Sequence, residues 1–194
     1  NAAANAAPAG DLALTVTGAG NSFNNLGGLI AASSGLTVSA TNTALDPSST
    51  MSGQLNAGGA LAINAGVLVN SGAWMASGSS VSLSGTNGVI NAGVIQSSGD
   101  LSLSSSAGVI TNGGALVSGR DLTASGSLNN LAGAVLHAER NLTVNGTGTN
   151  AGKIEALRDV VLQGSNFDNS TGVIQANNNF STNLTGTLTN DAGT

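Results

Sequence analysis

Between Asp121 and Phe180 one pattern of residues is written three times: "DLTASGSLNNLAGAVLHAER", "NLTVNGTGTNAGKIEALR" and "DVVLQGSNFDNSTGVIQANNN". Each copy opens with Asp or Asn and an alternating pair (Leu122/Ala124, Leu142/Val144, Val160/Leu162), then passes through small polar residues to an Asn. A Gly and a short apolar element follow: Gly133 with Val135-Leu136, Gly152 with Ile154, Gly172 with Val173-Ile174. A unit of about twenty residues repeated in tandem cannot bury its own apolar face and must stack on its neighbours, which is the rule of a solenoid.

Composition points the same way. Only 7% of the 194 residues are charged and 2% are aromatic, so a globular core of large side chains is not available. Mean hydropathy is nonetheless +0.21, and a disordered chain combines low hydrophobicity with high net charge. What remains is a narrow core of Leu, Val, Ile and Ala laid down in thin layers. The net charge of −5 excludes the basic stripe that nucleic acid requires, so no nucleic-acid partner is expected. No run approaches the roughly eighteen apolar residues of a membrane helix, so this segment is not expected to insert in a membrane. There is no cysteine. Asn1 opens a stretch with neither a basic flank nor an apolar segment, and Thr194 falls within a repeat, so the chain reads as an internal piece cut at both ends.

In chain order, residues 1–9 read as a lead-in and 10–194 as a single repeat domain. The openings fall at Leu12, Leu36, Leu61, Val81, Leu101, Leu122, Leu142, Val160 and Phe180, and the closing Asn ladder at Asn25, Asn70, Asn91, Asn112, Asn130, Asn150, Asn169 and Asn190. The stretch 36–60 is irregular and lacks the Asn-Gly closing. Asp46-Pro47-Ser48-Ser49 reads there as a loop pushed out of the coil, since Asp-Pro favours turns and Pro is excluded from central ladders. Apolar residues recur at i, i+2, and no ten-residue window escapes Gly, Asn or Ser. That excludes helical solenoids, and the frame of a leucine-rich repeat is absent. The expectation is an all-β, right-handed parallel β-helix of about nine coils, a rod on the order of 43 Å long.

The Asn ladder reads as structural. Stacked amides hydrogen-bond one another, Asn tolerates a left-handed corner, and the following Gly takes a positive φ or admits a close neighbour. Arg120, Arg140 and Arg158 precede successive openings and should stack, forming either a cationic column for an anionic glycan or an edge compensated by nearby carboxylates. His137 has no partners by register that would make a metal site. Trp74 reads as an interior layer or lateral cover before a sugar-stacking platform. The nine carboxylates are scattered, Asp100, Asp121 and Asp159 sit at coil-opening turns, and no catalytic pair, metal site or cofactor site is expected. If a binding site exists, the irregular loop 43–53 with Asp46 and Pro47, or the Arg column, is its expected place.

The stretch "GRDLTASGSLNNLAGAVLHAERNLTV" resembles the filamentous-haemagglutinin repeat, and the resemblance covers nearly the whole chain from Gly10. It implies the shaft of a large Gram-negative exoprotein, an adhesin or a contact-dependent growth-inhibition effector, exported through an outer-membrane two-partner-secretion transporter to the cell surface or beyond. Such a segment would present a distal binding or toxin module, would not itself be an enzyme, and could meet a receptor or glycan on a target cell.

Overall fold

The computed structural model describes residues 10–17, 23–25, 27–48, 53–72 and 74–194, with the backbone alone at 24 and 42–48. Short alternating segments separated by Gly, Asn and Ser become strands, and no helix occurs among the described residues. Each turn of the chain contributes three strand segments. The first two form a 14-stranded sheet and the third an 8-stranded sheet. In Leu61–Asn70, Leu101–Asn112 and Leu122–Asn130 the first two segments run on as one strand, whereas Val81–Gly85 and Val89–Asn91 are separate. The third segment is represented by Trp74–Ser77, Val94–Ser97 and Ala115–Ser118.

All pairing is parallel, and it joins residues one repeat apart. Leu101 faces Leu122, Leu122 faces Leu142, and Leu142 faces Val160. These side chains are at most 1% exposed and belong to one continuous apolar cluster running from Ala32 to Phe167. The result is a parallel β-solenoid. Nine strands lie along the path of first segments and eight in the third-segment sheet, so the rod completes about eight turns rather than nine. The ninth opening, Asn179–Leu184, has no third-segment strand after it among the described residues.

Packing inside the rod is matched turn by turn. At the second segment Leu128, Gly148 and Phe167 stack in register, and a Cβ added to Gly148 would lie 2.6 Å from the Phe167 ring. The bulky ring therefore occupies room that its neighbour leaves, which keeps the layer at interior density. The corner between first and second segments is set by another glycine column. Gly146 has φ +148° and Gly164 φ +140°, and a Cβ on Gly146 would sit 2.2 Å from the carbonyl oxygen of Gly126. No side chain fits between turns there.

The irregular second coil differs from expectation. Leu36–Ser48 is a strand of 13 residues pairing with the 10 residues of Leu61–Asn70, and the excess appears as register shifts between Ala40 and Ala44 and between Leu45 and Ser48. Asp46 and Pro47 lie within the second shift, unpaired to the following turn, where a residue lacking an N–H breaks no ladder bond. Part of the expected protrusion from Thr43 is thus taken up as bulges. The side chains of Asp46 and Pro47, with residues 49–52 and the lead-in 1–9, lie outside the described residues.

Candidate functional site

The most ordered polar feature is buried. Asn70, Asn91, Asn112, Asn130, Asn150 and Asn169 are at most 2% exposed. Each donates from Nδ2 to Oδ1 of the next, at 2.7–2.9 Å, and the column ends on Asn190. The amides also fasten the corner backbone: Asn91 Nδ2 donates to Gly93 O at 3.1 Å, and its Oδ1 accepts from Gly93 N–H at 3.2 Å. Asn is suited to this because one side chain carries both donor and acceptor and can pass the pattern on. Asn25 stands apart. It donates to the carbonyls of Gly28 and Gln54, and the intervening second turn places Ser48 opposite Asn70. The expected left-handed role of Asn is not found: no non-glycine residue has positive φ among the described residues, and glycine alone carries that conformation.

A second buried polar column escaped the sequence reading. Ser77, Ser97 and Ser118 end successive third-segment strands, and their hydroxyls donate to carbonyls of the next corner: Ser97 to Asp100 O at 2.9 Å and Ser118 to Asp121 O at 2.8 Å. In later turns the position becomes Ala138 and Ala156, so the column dissolves into the small-residue background.

At the opening corner the three arginines stack as expected, with Arg140 N–H bonded to Arg120 O and Arg158 N–H to Arg140 O, both at 2.9 Å. Arg140 grips Asp121 of the preceding turn with two nitrogens, Nε donating to Oδ1 at 3.1 Å, and Arg120 lies 3.5 Å from Asp100. Asp121 also accepts the backbone N–H of Asn141, and Asp159 that of Asn179, so these carboxylates tie one turn to the next. The hydrogen bond from Arg140 holds the Asp121 carboxyl below its usual range. Hydrogen bonds from Asn178 and Asn179, with the Arg158 charge, lower Asp159.

His137 is better supplied with neighbours than its sequence context implied. Its Nδ1 lies 2.9 Å from Glu155 and its Nε2 3.2 Å from Glu139, because the short 18-residue turn brings Glu155 directly opposite. Lys153 completes the cluster by pairing with Glu155. Burial pushes the Glu155 carboxyl up, and hydrogen bonds from Lys153 and His137 outweigh it, leaving it low. The carboxylates occupy opposite edges of the imidazole and do not converge on one point. Among the described residues no group of three or more His, Asp or Glu could hold a metal.

On the outside of the second segment a shallow trough of about 480 Å³ runs between the column Ser127, Thr147, Asn166 and the column Asn129, Thr149, Asp168. Its polar groups largely satisfy one another, as in Ser127–Thr147 at 3.0 Å and Thr149 to Asn129 at 2.9 Å. Asp168 is the one carboxylate lining it, and hydrogen bonds from Ser170 lower its pKa. Every carboxyl with a resolved shift is shifted downward, so all of these remain ionised at neutral pH and none is poised to give up a proton in catalysis. Trp74 is not an interior layer: it faces outward on the third-segment sheet and is 52% exposed, with Met75 taking the inward place.

The arrangement is thus one of repeated, mutually satisfied columns that hold turns together. A family model described as a haemagglutinin repeat matches residues 9–45, 48–105 and 88–192. No curated protein and no solved structure matches the chain.

Proposed function

The chain belongs to the haemagglutinin-repeat family, and from that premise we propose that it is a length of shaft in a large exported bacterial exoprotein, holding a distal binding or toxin module away from the producing cell. The observation that carries this is the unbroken parallel pairing from Leu12 to Leu184, in which each turn rests on the one before. Each turn advances the rod by roughly one strand spacing, about 4.8 Å, so sequence length converts directly into reach. Its buried columns bind turn to turn and leave no hinge of unpaired backbone within them. The role is mechanical rather than catalytic, and it is the same whether the far end is an adhesin tip or a contact-dependent inhibition toxin.

Export fits the same physics. A solenoid adds turns to an existing edge, so a chain emerging through an outer-membrane two-partner-secretion transporter can fold outside the cell without disulfides, which this cysteine-free chain lacks. In the arginine column Arg120 and Arg140 are paired with carboxylates, which favours a compensated edge over an anion-binding stripe.

The test is an excision in the full-length exoprotein, expressed with its transporter. Removing 122–141 joins Asp121 to Leu142 and deletes one turn in register; removing 122–131 deletes half a turn. A shaft predicts normal surface display and normal target-cell attachment or killing after the first deletion, and loss of export or degradation after the second. Loss of attachment or killing after the whole-turn deletion, with display intact, would overturn the proposal.

A further inference from the structure

The outer side of the third-segment sheet differs from the other surfaces. Its strands present their first and third residues outward, so Gln54, Trp74 and Val94 form one column and Asn56, Ala76 and Gln96 the next. The indole is 52% exposed, and Val94 beside it is 37% exposed. Adjacent strands lie about 4.8 Å apart, so Gln54 and Asn56 on one side of the indole strand and Gln96 on the other fall within about 10 Å of one another along the stack. Ala76, with its short side chain, leaves the ground beside the indole low.

Two further observations favour a ligand of one kind. First, the side-chain amides of Gln54, Asn56 and Gln96 have no hydrogen-bond partner among the described residues. Some outward amides of the rod are taken up between turns, as Gln163 is by Asn145 and Asn129 by Thr149; Gln54, Asn56 and Gln96, like Gln175 on the same sheet, are not, and these three alone stand beside the indole. Second, the outward positions of this sheet carry no charged residue from Leu29 through Val135; charge begins only at Lys153 and Glu155, next to His137. Charge complementarity therefore selects an uncharged ligand. It must offer an apolar face to the indole and hydroxyls to the amides, which is the chemistry of a pyranose.

We infer that Trp74, with the Gln54, Asn56 and Gln96 amides, is a binding platform for a neutral oligosaccharide. The indole supplies most of the contact area, since an exposed aromatic loses little freedom on binding and buries much apolar surface. The amides act as donor and acceptor toward ring hydroxyls and fix orientation. This assignment goes beyond the shaft reading and does not depend on it.

Trp74 is the only tryptophan of the chain, so its emission reports the platform alone. The full chain is titrated with hexasaccharides of β-1,4-glucose, β-1,4-N-acetylglucosamine and α-1,4-glucose, with a heparin hexasaccharide as the charged comparison. The expected result is a saturable blue shift with at least one neutral hexasaccharide and a Kd that changes less than about twofold between low and high salt. By calorimetry, Trp74→Ala weakens binding at least about 20-fold and Gln96→Ala about 3- to 10-fold, while Trp74→Phe recovers part of the loss. Because these side chains lie outside the core, all variants should keep the parental circular dichroism spectrum and melting temperature. Three outcomes would overturn the assignment: no shift with any neutral hexasaccharide, full binding by Trp74→Ala, or a blue shift that follows protein concentration with sedimentation showing a dimer through this face.

Discussion

At the scale of the residue, the account rests on why an amide is tolerated at the centre of an apolar rod. Asn130 donates to Asn150 Oδ1 at 2.7 Å and accepts from Asn112 Nδ2 at 2.9 Å, so it loses nothing by being fully buried. Removing it leaves the Asn150 acceptor without its donor and weakens the corner at Lys153. Asn130→Ala should therefore cost about 2–4 kcal/mol in urea unfolding, since each orphaned buried polar group costs roughly 1–3 kcal/mol. Its outward neighbour Asn129 is the control, and Asn129→Ala should cost under about 1 kcal/mol. The Asn column was legible in sequence because Asn recurs with Gly at a fixed distance. The serine column was not, because Ser77, Ser97 and Ser118 give way to Ala138 and Ala156, and nothing in composition separates a buried hydroxyl from an exposed one. Trp74 was misread for a related reason: Trp74 and Met75 are both apolar, so alternation alone does not say which faces inward.

At the scale of the element, the corner joining one turn to the next is held by charge as well as by backbone. The Asp121 carboxyl is depressed mainly by its hydrogen bond from Arg140. A carboxyl whose folded pKa lies below its ordinary value of 3.8 contributes its full stabilisation above that value and loses it as pH falls through the lower, folded one. Asp121→Asn should cost about 1 kcal/mol or less at neutral pH, the corner being partly exposed. Between about pH 5 and pH 2 the melting temperature of the variant should then fall less than that of the parent; an equal fall would remove Asp121 from the acid response. Strand positions were readable from i, i+2 alternation, and the stacking of Arg120, Arg140 and Arg158 from their spacing. The neighbours of His137 were not. From Leu61 onward coil lengths vary from 18 to 21 residues, and a shift of one or two residues decides whether Glu155 or Lys153 stands opposite the ring. The bulges of Leu36–Ser48 were hidden likewise, since surplus residues absorbed within a strand and residues looped out leave the same mark on spacing.

At the scale of the whole molecule, the repeat length of the sequence sets the length of the object. The architecture was the most legible feature, because a register slip of one residue would turn every apolar pair outward, and the nine openings allow a single consistent stacking. The most direct measurement places spin labels on one outward column of first-segment positions, pairing Ser181 in turn with Ser102, Ser82 and Ala62, which stand progressively further down the stack. Pulsed electron resonance distances should increase by about 4.8 Å for each intervening turn, roughly 19, 24 and 29 Å before label offsets. Distances that do not lengthen in equal steps, or broad distributions without maxima, would contradict the stacked rod.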